Sequence, residues 1–333
     1  MKKGCLFLSL IVGLYLVGWY LEITSPVSHK PAPQVVFIPP DTPVREVAHI
    51  LKERKLIRST WAFYLEGLRL GVLDKLKAGE YELSPHLTPA RILEKLARGE
   101  VITHIVTIPE GYNVWEIARL LDRAGLVSRR EFLSLAFNAT FAHSLGIPGP
   151  SVEGFLFPDT YYLVKGLSPA EIIKIMVSHF WKVWAKYEKR AREMGVSVYE
   201  VVTLASIVEK EAVFSREKPL IAAVYWNRLR RGMPLQADPT VRYALKRFRG
   251  RLYYKDLRVA NPYNTYRYPG LPPTPIANPG EDSLRAVLYP AQVPYLYFVS
   301  KGDGTHYFSS TYREHLRAVR RYRRHRRYQR NHP

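Results

Sequence analysis

Apolar positions recur at helical spacing between Val198 and Ala212: Val198, Val201, Leu204, Ala205, Val208 and Ala212 share one stripe at roughly 100° per residue. That predicts a core-facing helix. Ser168-Pro-Ala-Glu171 opens a longer one reaching to about Met194, with Trp181 and Trp184 along it. Thr88-Pro-Ala-Arg-Ile-Leu-Glu-Lys-Leu96 reads as a capped helix with proline in its first turn, and Ala78-Gly-Glu-Tyr-Glu-Leu83 alternates like a strand. An internal echo runs at an offset of 70 residues. Ile38-Pro39, Val44, Glu46, Ala48, Leu51 and Leu56 recur as Ile108-Pro109, Val114, Glu116, Ala118, Leu121 and Leu126. Each copy predicts a strand ending at Ile-Pro, a turn, an amphipathic helix, and a second helix entered near Ser59 or Ser128. From Gly232 onward, prolines such as Pro234, Pro239, Pro262 and Pro269 leave room only for short elements and loops, where function concentrates. The fold class is α+β.

The start of the chain has a different pattern. After Met1-Lys2-Lys3, residues 4 to 21 carry no charge, at the short end of a bilayer span, with Trp19 and Tyr20 where interfacial aromatics belong. Bulky residues at Val17-Gly-Trp-Tyr-Leu21 argue against a signal-peptide cleavage site. The expectation is a cytoplasmic tip and transmembrane helix over 1–22, an N-terminus held inside by Lys2 and Lys3, and an exported body anchored in the inner membrane. A proline-bearing linker follows over 23–34, then a small α+β module over 35–104.

Charge and cysteine usage narrow the partners. The chain has 333 residues, with 50 Lys+Arg against 29 Asp+Glu, a net charge of +21. The excess gathers in an Arg-rich tail over 317–333, which can attract anionic lipid, an acidic polymer or nucleic acid. Export would put nucleic acid on the wrong side of the membrane. Cys5 is the sole cysteine, so an intramolecular disulfide or a CxxC site is excluded. No HExxH, P-loop or dinucleotide fingerprint occurs, and neither metal nor cofactor is expected.

The candidate chemistry is acidic. In Ser206-Ile-Val-Glu-Lys-Glu211, Glu209 lies about 60° from the centre of the apolar stripe and Glu211 at its far margin. Glu209 therefore reads as the better-buried carboxyl, one whose proton is retained by desolvation and can be donated; equally, it could lean over the core and pair with an arginine. Asp238 is the strongest candidate for a second carboxylate. Asn227, Gln236 and the run Tyr263-Asn264-Thr265-Tyr266 supply amides, hydroxyls and rings suited to a sugar, and Glu153 is a further candidate for the cleft.

These residues sit in ordered blocks: Val152-Glu-Gly-Phe-Leu-Phe-Pro-Asp-Thr-Tyr161, Tyr225-Trp-Asn-Arg-Leu229, Met233-Pro-Leu-Gln-Ala-Asp-Pro-Thr240, Tyr263-Asn-Thr-Tyr266, Ile276-Ala-Asn-Pro-Gly280 and Gly304-Thr-His-Tyr-Phe308. With Ser206 to Glu211 they resemble the MltG (YceG-like) endolytic murein transglycosylases. The resemblance implies that the 35–104 module is LysM-like and that 105–316 is a mixed α+β catalytic domain distantly similar to lysozyme-type transglycosylases. It implies cleavage of the MurNAc-GlcNAc β-1,4 bond in nascent peptidoglycan strands with 1,6-anhydromuramoyl ends, the family's catalytic glutamate falling on Glu209. Peptidoglycan synthases become candidate partners. A muramidase-type hydrolase using Glu209 and Asp238, and a wall-binding scaffold without catalysis, are the alternatives.

Overall fold

The computed structural model describes the backbone of residues 2–331 and the side chains of residues 13–322. The chain forms two compact units. One comprises Met1–Ile105 with Tyr162–Leu167, the other Val106–Tyr161 with Ser168–Pro333.

In the first unit, α1 (Lys2–Thr24) leads to β1 (Gln34–Ile38), α2 (Val44–Glu53) and α3 (Thr60–Leu70). Next come β2 (Gly79–Leu83) and α4 (Pro89–Arg98). β1 and β2 pair antiparallel, Val36 opposite Tyr81, and alternate residues send their side chains inward. Val36, Leu51, Phe63, Leu83 and Leu93 close a core against the helices. Local signals set the ends: Ser59 accepts from the Ala62 amide to start α3, and Thr88 accepts from Arg91 to start α4, with Pro89 in the first turn.

The expected transmembrane anchor is not found. Among the described residues no helix is long and apolar enough to cross a membrane. Within α1 the described side chains begin at Gly13 and soon reach Glu22, and the Tyr20 hydroxyl donates to Glu66 of α3 at 2.8 Å, so this stretch has polar partners in its own unit. The expectations for Lys2, Lys3 and Cys5, and for the tail arginines beyond Tyr322, fall on side chains outside the described residues.

Between β3 (Thr103–Thr107) and β4 (Thr160–Val164) the chain forms α5 (Val114–Arg123), α6 (Arg129–Ala136) and α7 (Ala139–Ser144) of the second unit. α5 stands 70 residues after α2 at both ends, so the echo in the sequence is an echo of strand, helix and helix. α8 (Pro169–Trp184) and α9 (Glu188–Met194) lead to α10 (Val198–Glu211), α11 (Lys218–Arg230) and α12 (Asp238–Ala244). α13 (Glu281–Leu288), the hairpin β5 (Tyr297–Ser300) and β6 (His306–Ser309), and α14 (Tyr312–Asn331) complete the unit.

α10 is the axis of this unit. Its N-terminus carries a reciprocal cap, Ser197 with Glu200, and every side chain from Val201 to Val208 is buried. α11 and α13 pack against it. The proline-rich loop before α13 is tied down by polar contacts: the Ile276 amide donates to Ser206 Oγ at 3.0 Å. Buried Asn278 bonds the Tyr112 carbonyl and the Leu156 amide, both at 2.8 Å. Gly154, at φ 89°, lies so close to this loop that a Cβ would meet Pro275 at 2.5 Å.

Candidate active site

The last turn of α10 presents two carboxylates in opposite circumstances. Glu209 is enclosed. Its oxygens accept from Lys218 Nζ, both at 3.1 Å, from the Gly280 amide at 3.0 Å and from Ser283 Oγ at 2.7 Å. Gly280 is the N-cap of α13, so Glu209 puts negative charge where the amides and dipole of that helix favour it. Lys218, only 4% exposed in its side chain, has Glu110 at 3.6 Å as its second partner. Every group that reaches Glu209 therefore serves to join α10, α11 and α13.

Glu211, the final residue of α10, faces a cavity of about 330 Å3. Asn113, Lys210, Asp238, Arg242, Tyr243 and Ile276 line it with Glu211. The size is within the range of pockets that hold small ligands. Burial pushes the Glu211 carboxyl up to about 7, and the negative charge of Asp238 adds to the rise, while a hydrogen bond from Tyr225 at 3.2 Å opposes it. Asp238 at the start of α12 is exposed and accepts from the Tyr266 hydroxyl at 2.7 Å. Phe248 and Tyr243 supply an aromatic wall, backed by Trp115, whose ring centroid is 5.8 Å from Phe248 and 5.2 Å from Tyr243. Among the described residues no acidic, histidine or cysteine cluster suits a metal ion.

The other expected residues divide into a few near the cavity and several that build its surroundings. Asp238 lines it, and Tyr266 reaches it through Asp238. Tyr263 packs against Tyr243 with ring centroids 4.9 Å apart and tilted by 44°, and bonds Thr274, one layer behind the wall. Thr265 and Asn264 are fully buried braces. Thr265 Oγ1 accepts from the Ala237 amide at 3.0 Å, and the Asn264 amide group donates to the Leu257 and Val259 carbonyls. Asn227 donates to the Val293 and Tyr295 carbonyls at 2.8 and 2.9 Å, holding the approach to β5. Gln236 has φ 54° and accepts from Arg228 at 3.3 Å. Neither Asn227 nor Gln236 lines the cavity.

Glu153 does not reach the cavity either. It is wholly buried at the start of α5, accepting from the Val114 amide at 3.1 Å and from Tyr243 Oη at 3.0 Å. Burial raises its carboxyl from 4.5 to about 8. The native state thus holds a proton on Glu153 that the unfolded chain releases above about pH 4.5, so this group's contribution to stability declines as pH rises between 4.5 and 8. Glu153→Gln, a neutral isostere, is expected to flatten that decline; denaturant midpoints measured from pH 5 to 8 check it, and an unchanged slope would contradict the assignment.

A family model described as YceG-like matches residues 36–321. The chain belongs to the YceG-like family. A Bacillus subtilis (strain 168) relative named endolytic murein transglycosylase is 33% identical over 330 residues, which is 94% of this chain and 91% of that protein. A protein of the same name from Streptococcus pneumoniae serotype 2 is 28% identical over 85% of this chain and 57% of its own length. A solved YceG-like protein from Listeria monocytogenes superposes with a TM-score of 0.61 at 34% identity, covering 87% of this chain and all of that one.

In this YceG-like chain the resemblance found in the sequence is borne out, yet the Glu-Lys-Glu motif offers two acids and the cavity receives the second. The place of Glu211 at the cavity did not show in the sequence because periodicity measures burial, and α10 is buried on all sides over most of its length. A stripe on such a helix cannot say whether a buried acid meets a cation or a cavity. Arg242, Tyr243, Phe248 and Asn113 were missed too; the aromatic spacing of Tyr243 and Phe248 just after Asp238 was the available signal.

Proposed function

We infer that this chain is an endolytic murein transglycosylase, cutting the MurNAc-GlcNAc β-1,4 bond within peptidoglycan strands and leaving 1,6-anhydromuramoyl ends, with Glu211 as its proton donor and acceptor. What carries the reading is the desolvated carboxyl of Glu211 at the cavity, raised to about 7 and so able to serve as acid and base near neutral pH. The names of the Bacillus and Streptococcus relatives support the substrate.

Glu211 gives its proton to the glycosidic oxygen as the bond from the muramoyl C1 breaks, leaving an oxocarbenium-like centre. The carboxylate so formed then takes the proton of the same sugar's C6 hydroxyl, whose oxygen closes on C1. Nucleophile and electrophile share one ring, so orientation favours this route over attack by water. Asp238 contributes a negative charge that stabilises the cationic centre and helps Glu211 keep its proton.

Asp238 in the same cavity is also what favours a hydrolase as the second reading, with Asp238 activating water or attacking C1. Asp238→Asn separates the two. Transglycosylation predicts a moderate loss of kcat, about tenfold, and a basic limb of the pH-rate profile moved to lower pH, because removal of the charge lowers the Glu211 pKa. A loss of about 10³-fold or more would favour the hydrolase, whichever way the limb moves.

The same reading sets the enzyme at the outer face of the cytoplasmic membrane, where strands are made, beside a peptidoglycan synthase that supplies them. Its tail, by charge, suits anionic lipid headgroups; nucleic acid has no part in this reading.

A further inference from the structure

A second cavity, of about 410 Å3, shares Phe248 with the one that holds Glu211. One wall is a single face of α5 and its approach: Tyr112, Glu116, Arg119, Leu120 and Arg123 follow at spacings of four, three, one and three. The opposite wall is the turn after α12, Lys246 to Arg249, where Lys246 takes φ 50° and presents consecutive side chains to the hollow.

Five cations and one carboxylate line this space. The carboxylate is committed elsewhere, since Glu116 accepts from the Asn113 amide in the capping box of α5. Arg247 is paired with Asp256 through its terminal nitrogen, yet its Nε is a buried donor without a partner. Among the described residues Arg119, Arg123, Lys246 and Arg249 have no acidic partner. Leu120, Tyr112 and Phe248 give the same hollow an apolar floor. Unpaired cations over an apolar base suit a ligand carrying carboxylates on a small, partly apolar frame.

We propose that this second cavity receives the stem peptide of the muramoyl residue bound at the cleavage point, its carboxylates meeting Arg119, Arg123, Lys246 and Arg249. The proposal rests on the transglycosylase reading. It follows from the chemistry of that substrate: the stem hangs from the muramoyl sugar itself, the second cavity shares Phe248 with the catalytic one and so lies beside it, and the stem's alanine methyls match the apolar floor. The same cations would also accept the diphosphate that ends a lipid-linked strand. The contacts are to substrate in both ground and transition states, so they act on binding rather than on the chemical step.

The test uses the full chain and three strand preparations: stems intact, stems removed by an amidase, and stem-free strands ending in a diphosphate. The unaltered protein is expected to show a lower KM on the first. Arg119→Gln with Arg123→Gln, on an exposed helix face, is expected to raise that KM about tenfold, with kcat unchanged and with neither stem-free substrate affected. A rise that is equal on all three strands, or no rise, overturns the subsite. A rise confined to the diphosphate-ended strands overturns its assignment to the stem. Failure of the unaltered protein to cut any strand contradicts the transglycosylase reading itself and takes the subsite with it, whereas cutting that ignores stems contradicts the subsite alone.

Discussion

Glu211→Gln is expected to lower strand cleavage about 10³-fold while the folded state is kept. The amide fills the same space and retains an acceptor for the Tyr225 hydroxyl, now 3.2 Å from Glu211, but has no proton to give the leaving oxygen. Stability should hold or rise, because the carboxyl it replaces is one that burial makes costly to ionise. Cleavage assays on purified glycan, paired with denaturant unfolding, check both halves. A variant that cuts normally would leave Glu211 without a chemical role.

Glu209→Gln should do the reverse. Lys218 would remain buried with only the more distant Glu110 as a counter-charge, and the start of α13 would lose its anionic cap. Breaking a buried pair from one side costs about 3 kcal/mol or more, so a fall of that size in the unfolding free energy read from denaturant curves is expected, with kcat of the protein that stays folded within about tenfold of normal. Glu209→Gln combined with Lys218→Met should recover part of the stability, since removal of both charges leaves neither unpaired. Full stability with abolished cleavage would instead return the chemistry to Glu209.

These two outcomes mark where the sequence could be read and where it could not. Elements governed by local chemistry were legible: Ser168-Pro-Ala-Glu171 opening α8, Thr88-Pro89 opening α4, and the 70-residue echo that became α2 and α5. The family was legible from its ordered blocks. The division of labour between Glu209 and Glu211 was not, because it depends on what long loops bring to the end of α10. Lys218 arrives after a turn, Gly280 and Ser283 from some seventy residues on, and Asp238 from α12. The bonding of the polar motifs was hidden for the same reason. Asn264, Thr265 and Asn227 look like sugar ligands in sequence, but each spends its side chain on backbone groups of irregular segments that must be satisfied once buried. The membrane anchor rested on an uncharged run, its flanking lysines and Trp19 and Tyr20 as interfacial aromatics, whereas the described part of α1 places Tyr20 on Glu66.

The central claim is a proton delivered from Glu211 to the oxygen between two amino sugars, followed by closure of the same sugar on itself. Mass analysis of products made from purified strands in heavy-oxygen water tests it most directly. The account predicts anhydro ends free of label from the unaltered protein and from Glu209→Gln protein that remains folded, and about 10³-fold fewer of them from Glu211→Gln. Labelled reducing ends, or anhydro ends formed at the normal rate after Glu211→Gln, would contradict it.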